Sequence, residues 1–214
     1  MLKTHRVSGL YAITPEIGDE ADFFLRTEQA LAGGVSLLQY RDKTTGPVNV
    51  RRRAVRLREL CGRFGVPLII NDDAGLAREM QAAGVHLGRE DQDLASARAL
   101  LGADAIIGVS CYDQIELARQ AQSEGANYVA FGSVFPSQVK PRAVRASLDL
   151  IRAARDEIEI PIVAIGGIDL RNAPQVIEAG AHCVAVISAL FSAPDTSARA
   201  RAFAGLFTPV AHRG

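Results

Sequence analysis

Eight short apolar runs, separated by stretches with helical spacing, organise this chain. Four of them are Val35–Gln39, Val85–Gly88, Tyr128–Gly132 and Cys183–Ser188. Each is launched by the same small punctuation: Ala32-Gly33-Gly34, Ala82-Ala83-Gly84, Glu124-Gly125-Ala126 and Glu178-Ala179-Gly180-Ala181. The launching glycines Gly34, Gly84, Gly125 and Gly180 follow one another at 50, 41 and 55 residues. Midway between them lie Leu10–Thr14, Pro67–Asn71, Ala105–Ser110 and Pro161–Gly166. Runs rich in Val, Ile and Leu, without polar alternation, predict parallel strands covered on both faces.

The intervening stretches carry helix punctuation. Asp113 with Glu116 reads as a capping pair, Asp93 and Asp169 precede helical runs, and Gly84, Gly125 and Gly180 read as the residue just past a helix. Eight strand–helix units predict an α/β fold, a (β/α)8 TIM barrel, formed as a single domain over residues 1–214. A doubly wound open sheet is the weaker alternative, because no GxGxxG follows the first run.

Charge narrows the partners. Lys+Arg and Asp+Glu both number 24, so the formal net charge is zero, which disfavours a nucleic-acid binder. The one local excess is Arg51, Arg52, Arg53, Arg56 and Arg58. Val50, Ala54, Leu57 and Cys61 recur at helical spacing in the same stretch, so these arginines are expected mostly to face solvent. No run is long enough to span a bilayer, and Met1–Arg6 lacks a signal-peptide core. Cys61, Cys111 and Cys183 form no CxxC pair and read as reduced thiols, which predicts a cytoplasmic protein.

In a (β/α)8 barrel the active site lies where strands end and loops begin. The second run ends Gln39-Tyr40-Arg41-Asp42-Lys43, the third Asn71-Asp72-Asp73, and the fourth Gly88-Arg89-Glu90-Asp91. The fifth ends Ser110-Cys111-Tyr112, and the sixth leads to Ser137-Gln138-Val139-Lys140. The seventh ends Gly166-Gly167 and the eighth Ile187-Ser188. Glycines after the seventh strand and a hydroxyl after the eighth suit a phosphate. On the other side, Arg41 and Lys43 leave one strand two residues apart, and Asp72 and Asp91 sit on adjacent strand ends. Such a set is either a rim of salt bridges or a Mg²⁺–pyrophosphate site; taken together the residues favour the second. His5, His86, His182 and His212 are scattered, so a transition metal is not expected. His86 reads as a hydrogen-bonded barrel residue and Cys111 as a packing residue.

These segments resemble the thiamine-phosphate synthase family. The resemblance runs from Leu10-Tyr11-Ala12-Ile13-Thr14 to Val184-Ala185-Val186-Ile187-Ser188-Ala189-Leu190. It passes through Gln39–Lys43, Ile69-Ile70-Asn71-Asp72, Val85-His86-Leu87-Gly88 with Asp91, Ile107–Ser110 and Ala164–Ile168. It implies condensation of a hydroxymethylpyrimidine pyrophosphate with a thiazole phosphate, carboxylated in its expected form, releasing pyrophosphate. Gln39, Tyr40, Arg41, Asp42, Lys43, Asn71 and Lys140 are then expected around the pyrimidine pyrophosphate. Asp72 and Asp91 would hold Mg²⁺, and Ser110 would lie near the pyrimidine. Ser137, Gln138, Val139, Gly167, Ile187 and Ser188 fall on the thiazole-phosphate side. Arg41, Lys43, Ser110 and Lys140 are the expected catalytic set. The family is understood to form a pyrimidine cation that a neutral thiazole nitrogen captures, so no general base is required.

Two rivals remain. A thiazole tautomerase on the same scaffold uses a histidine after the fifth strand, where this chain has Cys111 and Tyr112. A non-catalytic phosphate-binding paralogue should have lost Asp72 and Asp91. Partners are small-molecule substrates, with neither nucleic acid nor membrane, and the oligomeric state is left open. Roles for Asp73 and Glu90 stay unassigned. The family carries two threonines before the lysine of the sixth loop; here Ser137 keeps a hydroxyl and Val139 does not. Val139→Thr is therefore expected to lower the Michaelis constant for thiazole phosphate while leaving kcat largely intact. Steady-state kinetics with an unchanged Michaelis constant would contradict this.

Overall fold

A computed structural model describes residues 7–89, 91–136 and 144–207. The strands are β1 (Gly9–Ile13), β2 (Leu37–Tyr40), β3 (Leu68–Asn71), β4 (Gly84–Leu87), β5 (Ile106–Tyr112), β6 (Tyr128–Phe131), β7 (Ile162–Ile165) and β8 (Cys183–Val186). Between them run α1 (Glu20–Ala32), α2 (Pro47–Phe64), α3 (Ala74–Glu79), α4 (Leu94–Leu101), α5 (Ile115–Ser123), α6 (Leu148–Glu157) and α7 (Ala173–Glu178). After β8 come α8 (Ser188–Phe191) and α9 (Thr196–Gly205). Each strand pairs in parallel with the next, and β8 closes on β1. The predicted barrel is therefore the observed one, and the open sheet is excluded.

Successive strand residues point to opposite faces, which splits the core in two. Leu10, Leu38, Ile70, Val85, Ile107, Val129, Ala164 and Val184 face outward into the layer beneath the helices. Tyr11, Leu37, Ile69, Ile106, Tyr128, Val163 and Cys183 fill the barrel interior. Both faces are buried, so the runs look continuously apolar in sequence. Burying each large aliphatic side chain contributes roughly 1.5–3 kcal/mol.

Gly84 is not the residue past a helix. It is the first residue of β4, and a Cβ there would collide with the Ile106 carbonyl. The turn after α3 is made instead by Gln81, at φ 51°. Gly125 and Gly180 do hold the predicted positions, at φ 89° and 119°. Asp93 caps α4 by accepting the Ser96 N–H at 2.9 Å. The expected Asp113–Glu116 capping pair does not form. β5 continues through Tyr112, α5 starts only after Gln114, and Glu116 pairs with Arg119.

Helix α2 buries Ala54, Leu57 and Cys61 and exposes most of its arginines. Arg51 pairs with Glu79, and Arg52 and Arg56 both pair with Glu20. Arg53 departs from the expectation, since its side chain is buried. The three cysteines are buried and unpaired. Among the described residues no helix is long and apolar enough to cross a membrane.

Close packing in the interior generates a test. Gly108 faces inward, and a Cβ there would fall inside the Tyr128 ring. Gly108→Ala should lower unfolding free energy by about 1–3 kcal/mol, the usual range for overpacking. Urea denaturation checks this, and an unchanged midpoint would contradict the packing described.

Candidate active site

The alternation that builds the barrel also decides which strand-end residues reach its mouth. Along β2 and just beyond, Gln39 and Arg41 face inward, whereas Tyr40 and Asp42 face outward. Gln39, Arg41, Lys43, Asn71, Asp72, Asp91, Ser110, Gly167, Ile187 and Ser188 all line one cavity of about 1180 Å³ at the strand C-termini. Tyr40 and Asp42 lie outside its wall. Ser137, Gln138, Val139, Lys140 and Glu90 lie outside the described residues.

The charged side of the mouth is held in place by hydrogen bonds. The Arg41 backbone N–H donates to the Thr14 hydroxyl at 3.0 Å, and that hydroxyl donates to the Arg41 carbonyl at 3.1 Å. This ties the end of β2 to the end of β1. The Arg41 guanidinium meets Glu16 at 2.8 Å, and the Lys43 ammonium meets Asp72 at 2.8 Å. Asp72 adopts a left-handed backbone at φ 66°, a costly conformation for a non-glycine residue. Its N–H donates to the His86 carbonyl at 2.8 Å. Asp91 accepts the Gly88 N–H at 2.6 Å.

The Asp72 and Asp91 carboxylates lie within hydrogen-bond reach of each other. Burial acts to raise Asp72, but the Lys43 ammonium and a hydrogen bond with the Asp91 carboxyl together outweigh it and hold this carboxyl below its ordinary value. Asp91 is pushed up, first by burial and also by the neighbouring Asp72, against the pull of the Gly88 N–H. Two carboxyl groups this close repel when both are ionised, so the pair suits a cation. Their oxygen chemistry fits a hard divalent ion that keeps other positions for water and phosphate oxygens. Among the described residues no three His, Cys, Asp or Glu side chains gather into a larger metal cluster.

Asp42 works from behind the wall. It accepts from the Thr45 hydroxyl at 2.7 Å, the Thr45 and Thr44 N–H groups at 3.0 and 3.1 Å, and the Tyr40 hydroxyl at 3.2 Å. Arg53 pairs with it at 3.2 Å while resting over the Phe23 ring. Burial acts to raise the Asp42 pKa, but these hydrogen bonds outweigh it and bring it down to about 2. The pair clamps the loop that carries Arg41 and Lys43.

Across the mouth, Gly166 and Gly167 take left-handed backbone at φ 102° and 63°. Side chains there would strike Ser133 and the Phe135–Pro136 backbone. The Phe135 N–H donates to the Gly166 carbonyl at 3.0 Å, and the Asn172 amide donates to the Gly167 carbonyl at 3.0 Å. Ser188 opens α8 directly after Ile187. The mouth thus has one side dominated by charged groups and another where glycine backbone and a hydroxyl come forward, with the Asp169–Arg171 pair beside them.

The floor holds residues that sequence reasoning missed or underrated. Gln39 donates to the Tyr11 hydroxyl at 2.8 Å, which meets the Tyr128 hydroxyl at 2.8 Å. Tyr128 meets His86 Nδ1 at 3.0 Å, and His86 Nε2 meets Ser110 Oγ at 2.9 Å. His86 is thus hydrogen-bonded within the barrel, as expected. A usable signal existed: a tyrosine at an inward position must place its hydroxyl against a buried partner. Tyr112 also lines the mouth, with Arg89 over its ring. Cys111 faces outward, and burial pushes its thiol up to about 12, which fits a packing residue.

A closed parallel barrel whose mouth carries a charged lobe opposite a glycine–hydroxyl lobe belongs to the class of barrel enzymes that handle anionic substrates. Comparison with known proteins is specific. The family model described as thiamine monophosphate synthase matches residues 10–190, and the chain belongs to this family of transferases. It is 53% identical over 202 residues to the thiamine-phosphate synthase of Azoarcus sp. (strain BH72), covering 94% of this chain and 98% of the relative. It is 54% identical over 201 residues to that of Methylobacillus flagellatus, covering 94% and 96%. The solved thiamine phosphate pyrophosphorylase of Pyrococcus furiosus superposes with a TM-score of 0.85 at 31% identity, covering 95% of this chain and 96% of that one.

The clamp behind the wall is testable. Asp42→Ala leaves Arg53 buried without its counter-charge and should cost roughly 3–5 kcal/mol of stability in urea unfolding. Because the folded pKa of Asp42 is depressed, its contribution is present above the ordinary carboxylate value of about 3.9. It is lost as pH falls towards about 2. A variant as stable as the parent at pH 7 would contradict the clamp.

Proposed function

We propose that the protein transfers the pyrimidinylmethyl group of 4-amino-2-methyl-5-hydroxymethylpyrimidine pyrophosphate, through its methylene carbon, to the nitrogen of 4-methyl-5-(2-phosphoethyl)thiazole. The products are thiamine phosphate and pyrophosphate. The observation that carries this reading is the two-sided mouth in a chain of this family. Lys43, Arg41 and the Asp72–Asp91 pair gather on one side, and Gly166, Gly167 and Ser188 on the other.

On this reading Arg41, Lys43 and Asn71 hold the pyrophosphate, joined by Lys140. Gln39 and Ser110 hold the pyrimidine at the floor. Gly167, Ile187 and Ser188, with Ser137, Gln138 and Val139, receive the thiazole phosphate. Tyr40 and Asp42 serve from outside the cavity by fixing the loop. Asp72 and Asp91 would hold Mg²⁺, which when bound neutralises negative charge on the leaving pyrophosphate. Breaking the carbon–oxygen bond leaves a methylene cation on the pyrimidine and moves the bonding pair to pyrophosphate. Arg41 and Lys43 stabilise that developing charge without any proton transfer. The thiazole nitrogen then supplies its lone pair to the cation. Holding both rings in one cavity turns a two-substrate encounter into an intramolecular step. Three unpaired, buried thiols support a reducing, cytoplasmic setting. Cys111 faces away from the cavity and Tyr112 lines it, so the loop after β5 offers no histidine of the kind the tautomerase reading requires.

Purified protein with both substrates should form thiamine phosphate only when Mg²⁺ is present. Asp72→Asn should lower kcat roughly 100-fold, as removing one electrostatic stabiliser of the transition state does elsewhere. Folded protein that makes no product, or makes it equally well in a chelator, would contradict the proposal.

A further inference from the structure

We infer that Tyr11, Tyr128 and His86 are positioning residues, forming a one-way hydrogen-bond chain that fixes Ser110 as a donor towards the cavity. The chain runs through the barrel interior and joins the two floor residues, Gln39 and Ser110, from strands that are not neighbours. Its polarity follows from counting protons.

Gln39 Nε2 donates to the Tyr11 hydroxyl at 2.8 Å. Tyr11 is fully buried, and its other hydroxyl partner is Tyr128 at 2.8 Å. A buried hydroxyl has one proton to place, and with the Gln39 amide donating to its oxygen the Tyr11 proton is assigned to Tyr128. Tyr128, equally buried, then has its own proton to give to His86 Nδ1 at 3.0 Å. An imidazole that accepts at Nδ1 carries its proton on Nε2 when neutral. That proton goes to Ser110 Oγ at 2.9 Å. With its oxygen so engaged, the Ser110 hydroxyl keeps its own proton for a ligand.

The chain is rigid as well as directional. Tyr11 and Tyr128 meet edge to face at 5.9 Å, and His86 stacks on Tyr128 at 5.6 Å. Gly108 is the opening that admits the Tyr128 ring. The consequence is a specificity rule: the ligand atom above Ser110 is best an acceptor, such as an unprotonated ring nitrogen, which uses the serine proton. A ligand presenting an N–H there can still reach the second lone pair of Oγ but leaves the Ser110 proton without a partner, which costs binding. This rule rests on the proposed function insofar as the ligand is an aminopyrimidine; the chain itself does not.

Two measurements test it. In ¹⁵N NMR of the ligand-free protein at pH 8, His86 should be the neutral tautomer with Nε2 protonated and Nδ1 accepting. An Nδ1-protonated ring or an imidazolium overturns the chain, whether or not the protein makes thiamine phosphate. In a double-mutant cycle, Tyr128→Phe should lower kcat about tenfold, the worth of one buried hydrogen bond. In the Ser110→Ala background the same change should add less than about twofold. Equal losses in both backgrounds would mean that Tyr128 does not act through Ser110.

Discussion

Everything at this site depends on one geometric constraint, the two-residue period of strands closed into a parallel barrel. Parallel pairing brings all eight strand C-termini to one mouth, and the period then sorts each ending by parity. Gln39 and Arg41 reach the cavity because they share a phase with Leu37 in the interior. Tyr40 and Asp42, one residue out of phase, meet helix α2 and its buried Arg53. The same strand thus supplies both ligand-facing groups and the clamp that steadies them. A one-residue slip would exchange the two roles.

The mouth divides electrostatic labour between its sides. Lys43 beside Asp72 and Arg41 beside Glu16 bring two cations to the same side of the mouth, each next to a carboxylate. The Asp72–Asp91 pair concentrates negative charge where a divalent ion would sit. The far side offers glycine backbone in left-handed turns and the Ser188 hydroxyl. Chemistry that separates charge without moving protons suits such a cavity, because its fixed charges act on the leaving group directly. Beneath it the hydrogen-bonded chain from Gln39 to Ser110 keeps interior polar atoms satisfied at low dielectric.

Much of this was legible in the chain. The apolar runs located all eight strands, because continuous apolarity is what burial on both faces produces. Strand endings then named most of the cavity wall. The failures have specific causes. Asp42 and Tyr40 group with Arg41 in sequence because adjacency hides parity. Arg53 read as a solvent-facing charge, since a single buried arginine on an otherwise exposed face has no local signature. Gly84 reads as helix punctuation in sequence, whereas the close approach of the Ile106 carbonyl is a long-range demand. The Asp113–Glu116 signal was overridden when β5 ran on through Tyr112. The interior chain escaped notice because Tyr11, His86 and Tyr128 are distant in sequence and meet only once the barrel closes.

The central claim is that one mouth holds two anions side by side, on opposite sides. Calorimetric titration of Mg²⁺–pyrophosphate into protein saturated with thiazole phosphate tests it most directly. The account predicts that pyrophosphate still binds one to one, with affinity equal to or tighter than in the protein alone. Loss of pyrophosphate binding in the presence of thiazole phosphate would mean a single shared anion site, and would contradict it.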